Sequence, residues 1–115
     1  MGKLTLRIKI EENPTTNPRY FRLNEQVYII LSLWRDGSPA RPGQYDPGSV
    51  VGYVVGRTPD LDALDVSYSP WIIPTERRMR VVFKKASLAV RLVCALSEYG
   101  TGERAQRSTA VTVRK

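Results

Sequence analysis

The sequence predicts an all-β protein built as an antiparallel β-sandwich of about seven strands. Apolar and polar residues alternate along several stretches of the 115-residue chain, which is the periodicity of strands with one buried face. No stretch keeps apolar residues at the i, i+3, i+4, i+7 spacing of an amphipathic helix for three turns. Segments rich in glycine and proline separate the alternating stretches, as turns separate the strands of a sandwich.

A β-hairpin between Leu88 and Val113 is the strongest of these patterns. Apolar residues occupy every second position from Leu88 to Leu96, and alternation returns from Thr109 to Val113. The polar segment between them contains Gly100 and Gly102, which can take the positive φ angles that a chain reversal needs. The pattern therefore predicts two long antiparallel strands joined by a short loop.

Two strands are predicted in the first third of the chain. The first alternates from Leu4 to Ile10 and ends before a segment interrupted by Pro14 and Pro18. The second runs from about Gln26 to Trp34 and is largely apolar on both faces, which favours a central place in its sheet. Asp36-Gly37 then predicts a tight turn.

Two further strands are predicted, at 49–57 and at 77–84, where Met79, Val81 and Phe83 alternate with basic residues. Residues 60–68 fit either one helical turn or an edge strand. Two prolines argue against a central strand at 69–74. All of these elements fit a single domain spanning residues 1–115.

The composition excludes several functions. The chain has no histidine, which removes the commonest general base and the commonest metal ligand. Cys94 is the single cysteine, lies in an apolar strand, and is expected to be a buried, unreactive thiol. Asp60, Asp62 and Asp65 lack the glycine and distal glutamate of a calcium loop. We therefore expect no enzyme activity, no catalytic residue, no cofactor and no metal.

The net charge of +7 comes from 18 basic and 11 acidic residues, and 13 of the basic residues are arginine. Such a balance favours anionic partners, with plain solubility as the alternative explanation. No apolar run approaches the ~20 residues of a membrane-spanning helix, and the N-terminus has no signal-peptide pattern. We expect no insertion into a membrane.

The strand from Leu88 to Leu96, the loop 99–103 and the strand 108–113 together carry a resemblance. They resemble the last two strands of a fibronectin type III or related immunoglobulin-like domain, as do Trp34 and the segment 52–55, over roughly 70 of the 115 residues. The family usually has a tyrosine where Leu88 stands. The resemblance implies an immunoglobulin-like sandwich of the bacterial or phage type, as in surface proteins, accessory modules of secreted enzymes and virion proteins. By fold analogy it implies an extracellular, surface or virion location.

In that strand order the first, second and 77–84 strands share a sheet, with the second strand in the middle. If its other side chains face the core, the second strand presents an aromatic row to the outside, flanked by basic residues of both neighbours. Rings bordered by arginine are enriched at binding hot spots, although cation–π stacking can equally be structural. The candidate binding residues are Trp34, Tyr28, Arg7, Lys9, Arg78 and Arg80.

The first functional hypothesis is a non-catalytic structural module that binds another protein or a second copy of itself in a surface, virion or multidomain assembly. A second hypothesis is a module that binds carbohydrate or an anionic polymer through Trp34, Tyr28, Trp71 and nearby arginines. A third is nucleic-acid binding through the same basic and aromatic face. The aromatic and basic face exists only if Trp34 faces outward. Because Trp34 is out of phase with the apolar positions 27, 29, 31 and 33, either it faces outward or a β-bulge shifts the register.

Overall fold

The structure is a computed structural model that describes residues 2–11, 20–43, 50–54, 64–68, 75–84 and 87–114. These residues form nine strands: β1 (Thr5–Glu11), β2 (Tyr20–Arg22), β3 (Gln26–Arg35), β4 (Ser38–Ala40), β5 (Val50–Val54), β6 (Leu64–Tyr68), β7 (Glu76–Phe83), β8 (Ser87–Ser97) and β9 (Arg104–Arg114). The predicted all-β class is confirmed. In the described part of the chain no helix is long and apolar enough to cross a bilayer.

The strands form two sheets. The first has the order β1-β3-β7-β6, with β4 beside β3, and the second has the order β2-β9-β8-β5. As predicted, β3 lies between β1 and β7, and these three strands share a sheet.

One pair of strands departs from the predicted antiparallel arrangement. β2 runs parallel to β9, with Tyr20 opposite Thr112 and Arg22 opposite Arg114. Since β1 pairs with β3 in the first sheet, the chain changes sheets between Glu11 and Tyr20. Parallel strands cannot be joined by a tight hairpin, and the chain between β2 and β9 runs through strands β3 to β8.

The core lies between the sheets and uses alternate residues of both. Leu31 and Leu33 of β3 have no exposed surface, and neither do Leu92 and Cys94 of β8. Phe21 and Phe83 stack with ring centroids 5.3 Å apart, in a geometry that adds to their burial. Cys94 is buried as predicted, and removal of its thiol from water raises the pKa to about 12.

Arg77 is a buried cation that the sequence analysis did not single out. It has the same strand parity as Met79, Val81 and Phe83, so its side chain points into the core, where it is 2% exposed. Its guanidinium donates a hydrogen bond to the backbone carbonyl of Gly43. The alternation of β7 predicts that the Arg77 side chain points into the core. Residue type predicts the opposite, because arginine is rarely buried unless it is paired.

The β3–β4 turn is the one that Asp36-Gly37 predicts. Arg35 pairs with Ser38, and both residues between them have positive φ angles, 52° at Asp36 and 77° at Gly37. Two central residues with positive φ define a type I′ turn, for which Asp-Gly is a preferred pair. The turn folds β4 back against the end of β3.

The remaining predictions have mixed outcomes. The long hairpin is confirmed as β8 and β9, and Gly100 and Gly102 take φ angles of 88° and 70° in its loop. Residues 64–68 form an edge strand rather than a helical turn. The predicted continuation of the third strand to Arg57 and the segments 60–63 and 69–74 lie outside the described residues.

Candidate functional site

The outer face of the first sheet is centred on β3. Along this strand Val27, Ile29, Leu31 and Leu33 are buried, whereas Tyr28, Ile30, Ser32 and Trp34 are half-buried on the opposite side. The ladders to β1 and β7 run without a register shift through β3. Of the two alternatives for Trp34, the structure shows the outward side chain and no register-shifting bulge.

Arg7 covers one face of the Trp34 ring. The guanidinium carbon lies 3.8 Å from the ring centroid. Arg7 is opposite Ser32 in the β1–β3 ladder, so it reaches Trp34 diagonally, a distance that long side chains span across neighbouring strands. The indole N–H donates to the Ser32 hydroxyl at 2.9 Å, which fixes the plane of the ring.

Arg78 makes the same kind of contact on the other side of β3. Its guanidinium carbon lies 4.3 Å from the centroid of the Tyr28 ring, although its ladder partner is Ile30. Each arginine therefore leans away from the middle of the face, one towards Trp34 and the other towards Tyr28. Ile30 lies between the two stacked pairs.

Lys9 and Arg80 complete the charged part of the face. Lys9 lies opposite Ile30, Arg80 lies opposite Tyr28, and both side chains are exposed. The predicted residues are thus all on one surface, which we call the cationic face: Arg7, Lys9, Tyr28, Ile30, Ser32, Trp34, Arg78 and Arg80.

The cationic face has a simple arrangement. Its four cations form two columns, Arg7 and Lys9 on β1 and Arg78 and Arg80 on β7. Since neighbouring strands lie about 4.8 Å apart, the columns are roughly 10 Å apart with the half-buried β3 side chains between them. Such a surface can hold an anionic group on each side of an apolar contact.

Negative charge bounds this face on the β7 side. Glu76 lies opposite Ser32, in the same row as Arg7. On β6, next to β7, Asp65 is exposed and pairs with Lys84 at 3.4 Å. On β1, Glu11 pairs with Tyr28 in the row of Arg80, so the four cations run diagonally across the three rows. An acidic partner that extended over β6 would meet the carboxylate of Asp65.

A second cluster of polar side chains lies at the end of the sandwich, and no sequence pattern indicates it. Arg35 at the end of β3 forms ion pairs with Glu98 at 3.0 Å and with Glu103, both in the β8–β9 loop. Its guanidinium also donates to the Gly2 carbonyl at 2.6 Å. Thr101 donates from its hydroxyl to Glu98 at 2.6 Å. The two ion pairs join residues 63 and 68 positions apart, so local patterns carry no signal for them.

This cluster shifts the protonation equilibria of its members. The hydrogen bond from Thr101, together with that from Arg35, lowers the pKa of the Glu98 carboxyl. The hydrogen bonds to Glu103 and Glu98 raise the pKa of Arg35. Each charged form is favoured by its partner, which is the pattern of a structural ion pair.

The loop that Arg35 holds displays an exposed tyrosine. Tyr99 is 61% exposed, and the guanidinium carbon of Arg41 lies 4.6 Å from its ring centroid. The Tyr99 backbone N–H donates to the Arg41 carbonyl at 2.8 Å, so the two segments are also joined through the main chain. This aromatic–arginine pair is at the end of the sandwich and separate from the cationic face.

The remaining sequence candidates are not brought together. Trp71, Asp60 and Asp62 lie outside the described residues, and Asp65 contacts Lys84. Among the residues that the structure describes, no three His, Cys, Asp or Glu side chains are placed to hold a metal ion.

Comparison with known protein families found no family model that matches the chain. A search of curated proteins likewise found no match.

Proposed function

We propose that this protein is a non-catalytic interaction module that binds an acidic surface of another protein through its cationic face. The observation that carries the proposal is the pair of stacked arginines, Arg7 on Trp34 and Arg78 on Tyr28. Stacking holds each guanidinium against a ring, so less side-chain entropy is lost when an anionic partner binds. Aromatic residues and arginine are also the residue types that dominate binding hot spots.

The chemistry of the described residues supports a binding role over catalysis. General acid–base catalysts have pKa values moved towards the operating pH. Here the pKa of Glu98 is lowered and that of Cys94 is raised, so both move away from neutrality. A place in a surface or virion assembly, and membership of the immunoglobulin-like family, belong to this proposal as expectations from the resemblance.

The carbohydrate and nucleic-acid hypotheses rank lower because of the same two stacks. Sugars and bases bind such modules by lying flat on aromatic rings, and base stacking in particular needs a ring face. Arg7 and Arg78 cover one face of Trp34 and of Tyr28. Because both rings are also half-buried, little ring face is left for a sugar or a base, and this favours charge pairing with carboxylates over stacking.

The proposal is tested by site-specific photo-crosslinking in the native host, with the crosslinker at position 30 on the cationic face. The control places it at position 108, an exposed residue of β9 in the second sheet. We expect an acidic protein to be captured from position 30 and not from position 108.

The captured protein is then purified and its affinity measured for two matched variants. Arg7→Gln/Arg78→Gln should weaken binding at least tenfold, as expected for two lost charge contacts. Arg22→Gln/Arg107→Gln removes the same charge from exposed residues of the second sheet and should change affinity less than twofold. Equal losses in both variants, or none in the first, refute the proposal.

A further inference from the structure

The two columns of the cationic face restrict the shape of the acidic partner. We propose that the partner segment is an amphipathic α-helix that lies along β3, with an apolar stripe bordered on both sides by Asp or Glu. This inference rests on the proposed function and specifies its ligand. It follows from the strand register, the position of Ile30 and the charges around the face.

The first step concerns width. The β1 and β7 columns lie two strand spacings apart, roughly 10 Å, with Tyr28, Ile30 and Trp34 between them. A single extended strand presents the side chains of one face in one line. It can therefore cover the apolar centre or reach one column, but it cannot do both. An α-helix is ~10–12 Å across and can present an apolar stripe with acidic residues on both borders.

The second step excludes a wide partner. A partner surface that extends more than one strand beyond β3 on the β7 side would lie over β6 as well. Its carboxylates would then approach Asp65, whose side chain is 70% exposed. A helix covers only β1, β3 and β7. In that area the cations run diagonally, with Arg7 and Lys9 on one border and Arg78 and Arg80 on the other, so the acidic residues of the helix are expected beside these four cations and not beside Glu76.

The third step concerns length and the centre of the contact. The cations occupy three successive rows, at Ser32, Ile30 and Tyr28, and two row spacings along a strand are about 14 Å. A helix rises ~1.5 Å per residue, so about nine residues span the charged rows and about 14 reach the Trp34 row as well. Because Arg7 and Arg78 lean towards opposite ends, Ile30 is the apolar contact at the centre of the helix stripe.

The experiment uses three stapled helical peptides of about 14 residues with the same composition. In the first, glutamates border the apolar stripe on both sides. In the second, the same glutamates lie on the face opposite the stripe. In the third, they border the stripe on one side only. Affinity for the full-length protein is measured by fluorescence anisotropy, with a heparin oligosaccharide as the probe for an anionic glycan.

Two variants report on the face without disturbing the stacked rings. Lys9→Gln/Arg80→Gln removes one exposed cation from each column, and neither residue is part of the Trp34 or Tyr28 stacks. Arg22→Gln/Arg107→Gln is the control of equal charge on the second sheet. We expect the first peptide to bind at least tenfold tighter than the second and several-fold tighter than the third, and the Lys9/Arg80 variant to lose about tenfold.

The outcomes separate this inference from the proposed function. If the three peptides bind equally and only the Lys9/Arg80 variant loses affinity, the proposal of a helix with two acidic borders is refuted. The proposal that the face binds an acidic partner is then retained. Preferential binding of the heparin probe through Lys9 and Arg80 also refutes the helix, and it replaces the acidic protein by a glycan. If the control variant loses as much affinity as the face variant, both the inference and the proposed function fail.

Discussion

The guanidinium carbon of Arg7 lies 3.8 Å from the centre of the Trp34 ring, although the two residues are not partners in the β1–β3 ladder. Their contact is diagonal, and it exists because Trp34 keeps the outward phase of β3 and Arg7 keeps the outward phase of β1. The pair thus joins two strands at the surface and presents a cation there. The exposure of this pair sets the size of the stability change that we predict for Trp34→Ala.

Trp34→Ala is expected to lower the free energy of unfolding by about 1–2 kcal/mol, below the ~3–5 kcal/mol of a fully buried tryptophan. Urea denaturation measures this change. A double-mutant cycle with Arg7→Gln should give a coupling of about 0.5–1 kcal/mol, whereas the cycle with Lys9→Gln should give almost none. A loss above ~3 kcal/mol would mean that the ring is part of the core.

Two neighbouring residues of β3 test the direction of its side chains. Leu31→Ala removes a side chain with no exposed surface and should cost about 2–5 kcal/mol. Ile30→Ala removes a half-buried side chain of similar size from the opposite side and should cost about 1 kcal/mol or less. Equal costs, measured by the same denaturation, would contradict the alternation on which the cationic face depends.

Glu98→Gln is expected to destabilise the protein in a pH-dependent way. The pKa of Glu98 is lower in the folded chain than its ordinary value of 4.5, through hydrogen bonds from Thr101 and Arg35. The ionised Glu98 carboxylate therefore adds to the free energy of unfolding in full above the pKa that Glu98 has in the unfolded chain. This stabilisation is lost as the pH falls through the pKa of Glu98 in the folded chain. Thermal unfolding should show the melting points of wild type and variant apart at neutral pH and converging in acid.

The control for this experiment is Glu76→Gln, which removes a carboxylate of the first sheet outside the Arg35 cluster. The same pH series is recorded for that variant. If the melting points of Glu98→Gln and wild type differ by a constant amount across the acid range, the ion pair does not stabilise the fold.

Cys94 should not react with a thiol reagent in the folded protein. Its side chain has no exposed surface and burial raises the thiol pKa to about 12, so almost no thiolate is present at neutral pH. Labelling with iodoacetamide, followed by mass spectrometry, should require denaturant. In a Ser108→Cys variant the added exposed thiol should label readily while Cys94 stays unlabelled.

Gly37→Ala should destabilise the β3–β4 turn by about 1–2 kcal/mol. The φ angle of Gly37 is 77°, and a Cβ there meets no atom within 4 Å, so the cost comes from the backbone conformation alone. Gly43→Ala is the comparison, because its added Cβ would make only an ordinary contact with the Ser97 carbonyl at 3.5 Å. We expect the Gly43 variant to be clearly less destabilised in thermal unfolding.

Much of the fold and of the cationic face is predictable from local sequence. Alternation along 26–34 indicates which β3 residues are buried, whereas the outward position of Trp34 is decided only by the regular ladders to β1 and β7. The neighbours of β3 follow from the strand order that the resemblance implies. The diagonal stacks of Arg7 on Trp34 and Arg78 on Tyr28 are not predictable in this way, because they depend on the register of the ladders.

Other features depend on contacts that no local pattern encodes. The alternation of polar and apolar residues at 64–67 is too short to distinguish an edge strand from a helical turn. Residues 64–68 form a strand because they pair with β7. The two carboxylate partners of Arg35 are more than 60 residues away along the chain. Local sequence therefore predicts elements and faces, whereas the ion pairs that join the loops appear only once the sheets are assembled.

The Arg35 cluster also determines how the domain would respond to mechanical tension. It holds Gly2 beside the β8–β9 loop, whereas Arg114 lies at the far end of β9. The described chain thus enters and leaves the sandwich at opposite poles. A pulling force applied at these two points would load the β1–β3 and β2–β9 ladders along the strand direction. The backbone hydrogen bonds of each ladder would then share the force in shear and break together, instead of opening one after another.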